Sequence, residues 1–123
     1  MRRSDQHRSK VKSDPKMKDF RDLKVWEKAH ELALDCYSKT ATFPKHEIFG
    51  IVSQIRRAGS SIRANIAEGC GRGGNGEFQR FLQMAMGSAS ELENHLLLAR
   101  DLLFLSHENH GQIEVKVSKP RRF

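Results

Sequence analysis

The side chains with which this chain could do chemistry are few: six histidines, two cysteines and a surplus of cations. His107 and His110 stand three apart with Glu108 between them. On a helix that spacing would offer two imidazoles and a carboxylate to a metal ion. Gly111 follows at once and the helical signal there is weak, so a solvated turn is the competing reading. Cys36 falls on an apolar helical face and reads as core. Cys70 sits in a glycine-rich stretch and reads as an exposed thiol with no activating base beside it. No Ser/His/Asp or Cys/His set can be assembled from spacing, so the sequence assigns no catalytic residue, no metal site and no cofactor. Gly71-Arg72-Gly73-Gly74-Asn75-Gly76 has the form GxGxxG. The dinucleotide fingerprint requires a strand before it, and here a helical pattern precedes. The loop reads as a helix–helix connector; alternatively its backbone N–H groups and Arg72 hold a phosphate at a helix start.

The cations say more. Lys and Arg number 22 against 15 Asp and Glu, a net charge of +7. That balance favours polyanionic partners. On the second helical segment, at about 100° per residue, Gln54, Arg57, Ser61, Asn65 and Glu68 form a polar stripe beside the apolar one. Arg56 and Arg63 lie on a third face. Three readings stay open for the stripe: a solvated face, a hydrogen-bonded strip within a subunit or oligomer interface, or a direct phosphate-binding surface.

These residues must be positioned by helices. The 123 residues suffice for one domain and one core. Leu23, Trp26, Ala29, Ala33, Cys36 and Tyr37 recur at helical spacing, until Phe43-Pro44 ends the pattern. Ile48, Ile51, Ile55, Gly59, Ile62 and Ile66 form a second stripe, in which Gly59 implies a close helix approach. Asn75 is placed as the N-cap of a third and longest helix, with Phe78, Phe81, Ala85, Ala89, Leu92, Leu96 and Leu103 inward. The expected helices span 21–41, 45–68 and 76–105. Met84, Leu98 and Leu102 fall off the third stripe and are assigned to an oligomer interface. Beyond Leu105, Ile113, Val115 and Val117 alternate as in a strand, so the fourth helix is expected to be short or missing. The fold class is all-α, an antiparallel up-and-down helical bundle. Residues 1–19 read as a basic disordered tail, 20–106 as the bundle domain and 107–123 as a C-terminal remnant. No run of 18 apolar residues exists and no apolar stretch follows the charged N-terminus. A membrane span and a secretory signal are therefore not expected, and the cytoplasm is.

Phe20-Arg21-Asp22-Leu23-Lys24-Val25-Trp26, then Phe43-Pro44 with Glu47, Gln54-Ile55-Arg56-Arg57-Ala58, Ser61-Ile62-Arg63-Ala64-Asn65-Ile66-Ala67-Glu68-Gly69 with Arg72, and Glu77-Phe78, Ala85 with Gly87-Ser88, and Glu91-Leu92 together carry a resemblance. Over about residues 20–106 the chain resembles the bacterial 23S rRNA intervening-sequence proteins. The resemblance implies an antiparallel four-helix bundle assembling as a barrel-like homopentamer, with no enzymatic activity. A related group, the accessory variability proteins of diversity-generating retroelements, works with a reverse transcriptase and nucleic acid. The sequence therefore points to a non-enzymatic oligomer binding RNA or DNA through Arg56, Arg57, Arg63 and Arg72. The alternative is a structural or adaptor protein whose partner is another protein, for example a reverse transcriptase.

Overall fold

A computed structural model describes residues 19–118; residues 1–18 of the expected tail, and residues 119–123, lie outside the described residues. After a 3₁₀ turn at Phe20–Asp22 come four helices: α1 (Lys24–Thr40), α2 (Ile51–Gly71), α3 (Asn75–Asp101) and α4 (His107–Ser118). A second 3₁₀ turn, Lys45–Glu47, precedes α2. Successive helices run antiparallel, and α4 returns to pack against α1 as well as α3, closing the square. The fold is all-α, as the stripes require.

Each helix forms because its apolar residues recur every three or four positions and find a common core. Leu32 and Cys36 of α1, Ile55, Ile62 and Ile66 of α2, and Leu92 and Leu96 of α3 have at most 1% of their surface exposed. Burying such a side chain is worth about 1.5–3 kcal/mol. Gly59 has the role expected of it. A Cβ built there would lie 2.7 Å from Cys36 Sγ, so the missing side chain is what lets α1 and α2 touch. The α2–α3 pair closes the same way at Gly69, where a Cβ would lie 2.7 Å from Phe81 Cβ.

The boundaries differ from the periodic reading at four places. The first helix begins at Lys24 instead of residue 21, because Leu23 is extended and Phe20–Asp22 form a separate 3₁₀ turn. Before α2, Ile48 and Phe49 belong to the turn, and both are exposed. At the glycine-rich break, α2 continues through Gly71, so Cys70 is buried instead of an exposed loop thiol. Gly74 is the N-cap and Asn75 the first helical residue of α3. At its far end α3 stops at Asp101, because Leu103 adopts a left-handed conformation (φ 66°). Leu103 is thereby turned out to solvent, while Phe104 and Leu105 donate backbone N–H bonds to the Ala99 carbonyl.

The fourth helix is present and short, 12 residues against 27 in α3. Its inward side is His110, Ile113 and Val117, an i, i+3, i+7 set, while Val115 is exposed. The strand-like alternation misleads because the inward position one turn before Ile113, His110, is polar. Ser106 caps the helix by accepting the Asn109 N–H. Lys116 reaches the Asp35 carboxylate of α1 at 3.5 Å.

Candidate functional site

The arginines of the second helix divide into two groups. Arg56 and Arg63 are seven residues apart, two turns or about 10 Å along α2, on the flank that faces α1. The Arg56 Nε–H donates to Thr40 Oγ1 at 2.9 Å, and its guanidinium lies over the Tyr37 ring, 4.6 Å from the centroid. Thr40 Oγ1 in turn donates to the Cys36 carbonyl at 2.7 Å, so one hydroxyl serves as donor and acceptor. The Arg63 Nε–H donates to His30 Nδ1 at 3.0 Å and a terminal nitrogen donates to Ser60 Oγ at 3.3 Å. That bond fixes His30 with its proton on Nε2. The imidazole stacks on Trp26 (4.7 Å, 15°), which leans on Phe20 (5.0 Å). Arg57 points away from the core and is exposed. Among the described residues, no carboxylate pairs with Arg56, Arg57 or Arg63.

At the glycine-rich end the pattern reverses. Arg72 donates twice to Glu68 Oε2, at 2.9 and 3.2 Å, four residues back on the same helix. Arg80 donates to Glu77 Oε1 at 3.2 Å. Both guanidiniums also lie over the Phe81 ring, at 5.1 and 4.6 Å. Sequence reasoning sets Arg72 beside Arg56, Arg57 and Arg63; geometry places it in a separate, charge-compensated cluster. Sequence reasoning also misses Arg80, although the Glu77–Arg80 spacing of three is there to be read.

The polar stripe also splits. Ser61 Oγ meets Ser88 Oγ of α3 at 3.0 Å, and Asn65 Nδ2 donates to the Ser61 carbonyl and hydroxyl at 2.9 and 3.2 Å. Ser61 therefore ties α2 to α3 within one chain and Asn65 braces it from one turn along α2, while Glu68 holds Arg72 and Gln54 is exposed. Met84, Leu98 and Leu102 lie at the outer surface of α3, 45–51% exposed.

Little here suits nucleophilic chemistry. Burial, and to a lesser degree the neighbouring Asp35 carboxylate, push the Cys36 thiol up to about 12, so it stays protonated and inert. His107 is exposed and His110 turns into the core, so the two do not converge; among the described residues no group of three His, Cys, Asp or Glu could hold a metal. Gly71-Arg72-Gly73-Gly74-Asn75-Gly76 follows a helix, not a strand, so it is not a dinucleotide loop. No described helix is long and apolar enough to cross a membrane.

What the fold and the arginine face define is a four-helix bundle of the kind that presents side chains on its outer surface. The chain belongs to the 23S rRNA-intervening sequence protein family, whose sequence model matches residues 21–122. No curated protein matches it. A similar solved structure is a protein of unknown function from the S23 ribosomal protein family of Bacteroides thetaiotaomicron VPI-5482, determined at 1.70 Å. It is 26% identical, with a TM-score of 0.71, over 80% of this chain and 92% of that one.

Proposed function

We propose that the protein is a non-enzymatic, cytoplasmic bundle that assembles with copies of itself, as a homopentamer, and binds RNA or DNA through the arginine face of α2. One observation carries the nucleic-acid reading. Arg56 and Arg63 are held by neutral acceptors, and they and Arg57 keep their full charge uncompensated, in a chain of net charge +7. An arginine whose Nε is anchored on an uncharged group presents its remaining N–H groups to an anion with little loss of freedom. The test is the salt dependence of binding to a fluorescent RNA. Affinity should fall linearly on a log–log plot, and Arg56→Gln with Arg63→Gln should lower the slope by about one for each phosphate no longer neutralised. An unchanged slope removes these arginines from the site.

Assembly is supported by Leu98 and Leu102, exposed side by side where α3 ends, and by Met84, exposed about four turns earlier. Placing Glu at position 98 would bury an unpaired charge between subunits and should dissociate the oligomer. Light scattering that finds the unaltered protein monomeric at micromolar concentration would overturn this part. The same apolar residues favour the second reading, an adaptor for a protein partner such as a reverse transcriptase. An absence of nucleic-acid binding at low salt would select it.

A further inference from the structure

The outer surface of α2 carries an open groove of about 580 Å³, between the exposed turn before α2 and the middle of the helix. It is lined by Tyr37, Phe49, Arg56, Arg57, Ser53 and Ser60, among others, and by no carboxylate. Phe49 is 94% exposed. Backbone bonds hold the turn in shape: Ile48 N–H to the Lys45 carbonyl at 3.2 Å and Gly50 N–H to the Glu47 carbonyl at 2.9 Å. An ordered turn thus holds an aromatic face in water beside two uncompensated guanidiniums. Aromatic faces, arginines and hydroxyls in one groove match the π-face, the phosphate and the sugar of a nucleotide. A paired base could not reach such a ring, since its faces are already stacked.

Resting on the nucleic-acid reading above, we propose that this groove selects unpaired strand, stacking one base on Phe49 with the adjoining phosphate between Arg56 and Arg57. The volume suits a nucleotide-sized ligand. A second copy of the chain is the less suited occupant, because it would have to bring carboxylates to these arginines. A copy docked through this same face would bring two more guanidiniums and no carboxylate, setting like charges against each other.

The experiment compares a labelled oligouridylate of about 15 nucleotides with a duplex of equal length, for the full chain and for Phe49→Ala and Phe49→Leu, with light scattering on each. The expected result is tighter binding of the single strand, a loss of about five- to hundredfold in F49A, little rescue by F49L, and a duplex affinity that does not move. Equal binding of both strands with no effect of F49A overturns the groove and leaves the broader reading standing. No binding of either strand by the unaltered protein overturns both. A change of oligomeric state in F49A, with parallel weakening on both strands, assigns Phe49 to a subunit interface and overturns the proposal. F49L keeps the apolar bulk, so it decides the matter if F49A does not fold.

Discussion

The flank of α2 that faces α1 and the glycine-rich end that joins it to α3 use the same residue types to opposite effect. Around Arg56 and Arg63, guanidiniums are fixed by a threonine hydroxyl and an imidazole on α1, and their charge is left over. Around Arg72 and Arg80, guanidiniums share one phenylalanine ring and are neutralised by glutamates one turn away. A count of arginines treats the two regions alike. What differs is the partner's charge, and with it the capacity to hold an anion.

The largest expected effect tests that difference directly. Replacing Arg56, Arg57 and Arg63 together by Gln should weaken RNA binding at low salt by about a hundredfold, since three charge-assisted hydrogen-bonding groups are removed. Replacing Arg72 and Arg80 by Gln should change it by less than about threefold, because guanidiniums already held by Glu68 and Glu77 neutralise no phosphate. Anisotropy titrations read both. Equal weakening would erase the distinction between the two regions and make net charge the whole cause.

Close helix approach offers a second comparison. At Gly69 an added Cβ meets Phe81 Cβ, an atom that cannot swing aside, so the α2–α3 backbones must part. At Gly59 it meets Cys36 Sγ, a terminal atom. Gly69→Ala should therefore destabilise by about 1–3 kcal/mol in denaturant, net of the roughly 1 kcal/mol that alanine gains in helix propensity at either site, and Gly59→Ala by less. Adding Cys36→Ala should rescue Gly59→Ala and leave Gly69→Ala alone, a non-additivity confined to residues that touch.

How much of the molecule is legible in its sequence follows from the distance along the chain that each interaction spans. The three long stripes are plain because Ile55, Ile62 and Ile66, or Ala85, Ala89, Leu92 and Leu96, repeat with the helix over many turns. Gly59's role follows from its cost. The compensation at the glycine-rich end is also readable, since Glu68–Arg72 and Glu77–Arg80 are i,i+4 and i,i+3 pairs. The anchors of Arg56 and Arg63 lie 16 and 33 residues away on another helix, where no periodicity points. The last helix is obscured for a different reason: with His110 polar, Ile113 and Val117 alone do not outweigh a chance alternation with Val115. Spacing places Tyr37 and Leu103 inward, and both are exposed, one held beneath Arg56 and the other turned out by its backbone.

The cysteines report on the two regions separately. Cys36 lies in the middle of the core and Cys70 in the last turn of α2, beside the glycine-rich loop, where helix ends open first. A thiol reagent should modify neither quickly, and Cys70 before Cys36. Because burial raises the Cys36 thiol from 9.0 to about 12, the native state holds this proton more tightly than the unfolded chain does. Its contribution is intact below pH 9.0 and is lost as pH climbs toward about 12. Denaturant titrations should show that alkaline decline reduced in Cys36→Ala.

The smallest effect on stability carries the sharpest test of the comparison. The Glu68–Arg72 pair is half-exposed on both sides, so Glu68→Gln should shift stability by less than about 1 kcal/mol. Its length and hydrogen-bonding shape are retained while its charge is gone. If the glutamate is what keeps Arg72 away from phosphate, this one change should turn the glycine-rich end into a second anion surface. The log–log salt slope for RNA should then steepen by about one, with the slope contributed by Arg56 and Arg63 unchanged. Were the slope to stay flat, the position of Arg72 on the assembled protein, and not its pairing, would be what excludes it. The contrast between the two regions would then be one of access, not of charge.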